Sequence, residues 1–187
     1  MIEYIDKMSG SLWPNQIASR NFLSPIGFKF SLVKKPKVDF FCNAANLPGL
    51  NLGVAIQSNP LKPIPIPGET LSYDDLTLRF MVDEDMVNYL EVYNWLVQFG
   101  FPDNFGQYQQ LLDEDENSNG KQSAISGMSD GTMFIYTNNF NPNLKINFKD
   151  LFPVSLSGIS FDSTQNEVNY VTAEVTFKYT IFDIVKL

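Results

Sequence analysis

TLSYDDLTLRFMVDEDMVNYLEVYNWLVQFG, residues 70–100, changes its apolar period part-way along. Leu76, Leu78, Phe80 and Val82 alternate with Thr77 and Arg79, the period of two that marks a half-buried strand. Asp83-Glu84-Asp85 interrupts, and then Met86, Tyr89, Leu90, Tyr93 and Val97 recur every three or four residues. That spacing predicts a helix of about three to four turns with those side chains on its buried face. Asp83 is the expected N-cap, the acidic run suits the positive end of the helix dipole, and Gly100 with Pro102 beyond it is the expected stop. A long strand feeding one helix is the unit around which the other elements are arranged.

On both sides of this unit the chain reads as strands. Phe28, Phe30 and Leu32 share a face in residues 27–33, and after Lys34-Lys35-Pro36-Lys37 a second strand over 38–44 is expected to complete a hairpin. Residues 46–68 change character: Pro60, Pro63, Pro65 and Pro67 interleave with Leu61, Ile64 and Ile66. Proline removes ladder donors, so the segment reads as an extended Pro-rich loop carrying apolar side chains. Residues 102–131 hold the most polar run, Asp113-Glu114-Asp115-Glu116-Asn117-Ser118-Asn119-Gly120, which lacks the ligand register of a Ca²⁺ loop and reads as solvated. Further strands follow: 132–137; Leu144, Ile146 and Phe148; Val154, Leu156, Ile159 and Phe161. The longest alternation sets Val171, Ala173, Val175, Phe177, Tyr179 and Ile181 against Thr172, Glu174, Thr176, Lys178 and Thr180. The sum is a mainly β domain over 27–187, an antiparallel sandwich or barrel with one flanking helix, behind an N-terminal arm over 1–26.

Composition removes several classes of function. With no histidine and one cysteine, Cys42, the chain cannot build an internal disulfide, a zinc site of the usual His/Cys kind, or a Ser-His-Asp or Cys-His arrangement. A reducing compartment follows, and Cys42 reads as a small buried hydrophobe rather than a nucleophile. Net charge is −8, unsuited to gripping nucleic acid, which needs Lys and Arg on phosphates. No window approaches the roughly 18 apolar residues that cross a bilayer, and MIEYIDKMSG at the start is not a secretory signal. Asp74 and Asp75 alternate faces, Asp83, Glu84 and Asp85 are accounted for by the helix start, and Gly49 to Gly53 lacks the Lys and helix of a phosphate loop. No catalytic residue, metal site or cofactor is expected.

The order of the pieces GFKFSL, FFCNAANLPGL, PIPIPGE, LSYDDLTLRFMVDEDMVNYLEVYNWL, FPVSLSGISFD and VNYVTAEVTFKYTIFDI resembles the tail tube proteins of T4-like contractile-tailed bacteriophages, over residues 22–184. Tyr73-Asp74-Asp75-Leu76-Thr77-Leu78 running into Val82-Asp83-Glu84 and the aromatic helix ending at Trp95 carries most of it. The resemblance implies a structural subunit, not an enzyme, in hexameric rings that stack into a channel for genome delivery. It implies sheath and baseplate or neck proteins as partners, DNA passing through the lumen without specific binding, and a place in the virion tail after synthesis in the host cytoplasm. It also implies that Leu47, Pro48, Leu50, Leu61, Pro63, Ile64, Pro65 and Ile66 lie in an inter-subunit or inter-ring loop, and that the helix faces the sheath. The polar row Thr172, Glu174, Thr176 and Lys178 is the candidate lumen face, where acidity would repel phosphates.

Two alternatives stay close: a tube initiator, neck or baseplate ring protein, and the tube protein of a secretion machine. From a different class comes a carbohydrate-binding β-sandwich, for which Trp13, Trp95 and the tyrosines are available as stacking platforms.

Overall fold

The computed structural model describes residues 22–34, 42–100, 102–110, 127–162, 164 and 170–187. The elements are β1 (Phe28–Leu32), β2 (Cys42–Ala45), β3 (Leu50–Gln57), β4 (Ile64–Tyr73), β5 (Leu76–Met81), α1 (Val87–Gly100), β6 (Ser129–Tyr136), β7 (Pro142–Leu156), β8 (Thr172–Lys178) and β9 (Ile181–Lys186). Every pairing between them is antiparallel. Seven strands form one sheet in the order β1-β6-β7-β8-β5-β2, with β9 also on β7; β3 and β4 form a separate two-stranded sheet.

The long sheet folds on itself because β7 serves both halves. Its first half lies between β6 and β9, and its second half pairs with β8. The register across the corner is continuous: Lys149 pairs with Ile181 and Phe152 with Lys178, and the Thr180 N–H donates to the Lys149 carbonyl (3.0 Å). β8 and β9 are thus two halves of one bent strand following one bent partner. On β7 the corner is Asp150, with φ 54°, a left-handed conformation that Asp tolerates better than most residues. Its N–H donates to Asp130 Oδ1 at 3.3 Å.

The result is a front layer, β1-β6-β7-β9, and a back layer, β7-β8-β5-β2, around one core. Phe30, Leu32, Met133, Ile146 and Phe148 come from the front and Leu76, Leu78, Phe80, Val175 and Phe177 from the back. This is a mainly β sandwich with a flanking helix, and its ladder does not close into a barrel: β1 and β2, the two ends, are not paired.

α1 packs a different face from the one its spacing suggests. Asn88, Val92, Trp95 and Gln98 are buried, while Leu90 and Tyr93 are 46% and 50% exposed. Trp95 packs tilted against Phe177 (ring centroids 6.0 Å apart) and its Nε1–H donates to the Gly127 carbonyl at 2.8 Å. Asn88 fixes the helix start: its Nδ2 donates to the Met81 carbonyl at the end of β5 (2.8 Å), and its Oδ1 accepts from the Tyr89 N–H (2.8 Å). The Asp83 carboxylate accepts from the Asn88 N–H at 3.4 Å, the expected cap displaced toward the second helical residue.

Other expectations shift as well. β1 pairs with β6, and β2 with β5, so the hairpin expected of 27–44 does not form among the described residues. Ile159 and Phe161 lie beyond the end of β7. The long alternation over 171–181 breaks at Tyr179 and Thr180, so Phe182 is buried and Ile181 is 36% exposed. The N-terminal arm through residue 21, and most of the polar 102–131 segment, fall outside the described residues.

Replacing Asn88 with Ala strands the Met81 carbonyl and a helix N–H in a buried site. We expect a loss of about 1–3 kcal/mol in urea unfolding, read as a lower midpoint at constant slope.

Candidate assembly surface

The segment 46–68 is not a loop. β3 and β4 form a hairpin arm that stands off the sandwich, and nearly all of its residues are exposed. Pro65 and Pro67 fit because they lie two apart, so both missing donors fall on the same edge of β4 and the other edge can pair. Leu50, Leu52, Val54 and Ile56 alternate along β3, and their cross-strand partners are Tyr73, Leu71, Pro67 and Pro65. One face of the arm therefore carries a row of apolar side chains, interrupted where the register shifts between Leu52 and Val54. Leu50 and Leu52 are each 53% exposed, Val54 65% and Ile56 73%. Full burial of such a side chain is worth about 1.5–3 kcal/mol, so a face of this kind marks an interaction surface.

The base of the arm is clamped. The Asp74 N–H donates to the Gly49 carbonyl (3.1 Å), and Asn51 Nδ2 donates to Asp74 Oδ1 (3.0 Å). The Tyr179 hydroxyl donates to the Asp74 carbonyl (2.9 Å). Asn46 receives the Thr77 N–H on Oδ1 (2.6 Å) and donates through Nδ2 to the Asp75 carbonyl (3.1 Å). Tyr73 packs edge-on against Tyr179 (6.0 Å) and Phe182 (5.6 Å), which joins the arm to the core at the β8–β9 corner. Burial, with Asp74, Tyr73 and Asp75 adding to it, pushes the Tyr179 phenol up to about 12. Midway along the arm, Gly68 runs against β3: a Cβ there would stand 2.6 Å from the Gly53 carbonyl oxygen.

Of the residues assigned to this segment by sequence, Leu47, Leu50, Leu61, Pro63, Ile64, Pro65 and Ile66 are exposed, with Leu61 at 96%. Pro48 is buried at the base and presents nothing to a partner. Leu52, Val54, Ile56 and Leu71 were missed, although the alternation in LNLGVAI carries the signal.

The second predicted set behaves as a face. Thr172, Glu174 and Lys178 are exposed and Thr176 half-buried, opposite the core-facing Ala173, Val175 and Phe177. Cross-strand partners Thr77 and Arg79 extend the face onto β5. Lys178 pairs with Asp75 (2.9 Å), and Arg79 lies opposite Glu174. The charges on this face balance, so the chain's acidity is not concentrated there.

The unpaired edges of the two layers differ. In the back layer, β2 is a short, bulged edge, and the β7 end has α1 against it, with Phe99 near Phe152 (6.1 Å) and the Tyr89 hydroxyl donating to the Ser157 carbonyl (3.3 Å). In the front layer, β1 and β9 are both uncovered among the described residues. Exposed apolar side chains flank them: Phe22, Leu23, Ile26 and Val33 beside β1, and Ile184, Val185 and Leu187 on or after β9. Bare apolar edges are what soluble β proteins otherwise avoid. No group of metal-ligating side chains occurs among the described residues, and no helix there is long and apolar enough to cross a membrane.

Comparison with known proteins gives the family and the fold. The profile of the phage tail tube protein family matches residues 11–185. The chain belongs to that family. The tail tube terminator protein of Enterobacteria phage T4 is 24% identical over 153 residues, covering 79% of each chain. Among solved structures, the tube-terminating cap of the anti-feeding prophage shares the fold with TM-score 0.63 at 16% identity, over 95% of this chain and 99% of that one. The sheath–tube complex of an extracellular contractile injection system, PVC, gives TM-score 0.56 at 17% identity, over 95% and 100%.

Two outcomes test the arm of this tail tube family member. Gly68→Ala forces backbone apart at the Gly53 crossing; amide exchange across β3 and β4 should accelerate by tenfold or more while protection in β5 and β8 is unchanged. Tyr179 binds its proton more tightly when folded, so its contribution is complete below the ordinary phenol value near 10 and is lost as pH rises through about 12. The alkaline fall in stability over that window should be shallower in Tyr179→Phe, as followed by denaturant midpoints.

Proposed function

We propose that this chain is a non-enzymatic structural subunit of a contractile tail, that copies of it join head-to-tail into a ring, and that the ring closes one end of the tail tube as a terminator. The observation that carries the ring is the pair of uncovered front-layer edges. β1, β6, β7 and β9 alternate in direction, so a cyclic operator that sets β9 beside the next copy's β1 makes an antiparallel pair and continues the sheet. A heterologous contact of this kind closes when its rotation divides the circle, and it removes both edges at once. Six copies is the number the family resemblance implies.

Closure also fixes inside and outside. The core, the back layer and α1 all lie on one side of the front layer, and that bulk fits only at the larger radius. The solvent face of the front layer then lines the channel, and the row Thr172, Glu174, Thr176 and Lys178 lies on the outer sheet. The arm, with Leu50 on its apolar face, Ile64 and Ile66 on the opposite face and Leu61 in the connection between its strands, meets a neighbouring subunit or the adjoining ring. The T4 relative, a tail tube terminator by name, supports a place at the tube's end rather than along it. Sheath and neck or baseplate proteins are the partners of such a ring, DNA its cargo, and the virion tail its location.

The test is light scattering and negative-stain electron microscopy of purified protein, alone and with preformed tubes. Discrete rings that bind tube ends without stacking indefinitely are expected. Unlimited self-stacking would make it a tube subunit along the length, and a monomer that ignores tubes would overturn the ring. Ile184→Asp, on the bare β9 edge, should abolish rings while circular dichroism stays that of the folded chain.

A further inference from the structure

The solvent face of the front layer is a register-defined grid. One row runs Lys29, Phe134, Lys145, Val185 across β1, β6, β7 and β9. The next runs Ser31, Thr132, Asn147, Asp183, and beyond it Lys149 lies opposite Ile181. Lys145 sits over the Phe134 ring (6.0 Å to the centroid), and Lys149 is held by Asp183 (3.8 Å). With strands about 4.8 Å apart, Lys29 and Lys145 stand roughly 10 Å from each other across the sheet. Among the described residues, Lys29, Lys145 and Lys149 outnumber Asp130 and Asp183 on this face, although the chain as a whole carries −8. The acidic run Asp83-Glu84-Asp85 stands at the start of α1, away from it.

We propose that Lys29 and Lys145 form a cationic belt inside the ring that holds the phosphate backbone of duplex DNA in the channel. The proposal rests on the ring reading above, which places this face inward. A belt of this kind is independent of base sequence and salt-sensitive, because each lysine–phosphate contact releases condensed counterion. It would retain DNA at the tube's end rather than repel it.

The experiment uses rings of the full chain and a fluorescent linear duplex, with ring mass measured separately. Binding is expected at 50 mM salt and should weaken about 40-fold by 200 mM, the fall for roughly three phosphate contacts. The double variant Lys29→Gln/Lys145→Gln should lose at least tenfold in affinity with ring mass unchanged, while Lys29→Arg/Lys145→Arg keeps it. Closed circular DNA, which cannot thread a closed ring, should compete poorly. Rings that bind no duplex, binding unaltered by the Gln pair, a Gln pair that loses its rings, or equal competition by circular DNA would each overturn the belt. Absence of rings in the unaltered protein would instead bring down the ring reading, and the belt with it.

Discussion

The corner of β7 is the constraint on which the subunit depends. At Asp150 the strand turns from the front layer into the back layer, and its partner turns with it at Tyr179 and Thr180 without losing register. One continuous ladder thereby holds both layers, so the faces carrying Phe148 and Phe177 close on a single core. The same corner seats the arm. Tyr179, at the bend, donates to Asp74 and packs on Tyr73, where β4 ends. Core, arm and the front-layer edges are thus fixed relative to one another within the subunit, which would lower the ordering cost of the proposed assembly.

The division of labour between the two layers follows from how their edges are treated. The back layer spends its margins inside the subunit: α1 against one end, a short bulged strand at the other. Among the described residues, the front layer leaves β1 and β9 open and apolar at the flanks. A monomer so built is exposed to uncontrolled edge pairing, and the proposed cyclic closure would remove that exposure for every copy. The polar grid on the front layer, with its lysines, is then solvent-facing by construction rather than by accident of packing.

How much of this was legible depended on whether a local pattern had one reading. β5 and β8 were legible because each has one buried and one polar face, as in Leu76, Leu78 and Phe80 against Thr77 and Arg79. The helix was legible in place but not in orientation. Apolar residues occupy most of its surface, and its buried face joins Val92 and Trp95 with two polar residues, Asn88 and Gln98, that no hydrophobic count would choose. The arm was hidden by its prolines, which argued against a strand until their two-residue spacing placed both on one edge. Phe182 was out of phase with the alternation before it because the bend at Tyr179 and Thr180 resets which side faces the core. The partners of β1 and β2 lie far along the chain, and nothing local encodes that choice.

The central claim is that copies join through β9 and β1. A cryo-electron microscopy reconstruction of the assembled ring tests it most directly. The account predicts β9 of each subunit antiparallel beside β1 of the next, with the front layers forming one closed sheet around the channel and α1 outside it. A ring in which either edge faces solvent, or in which copies meet across a two-fold axis through the same edge, would contradict it.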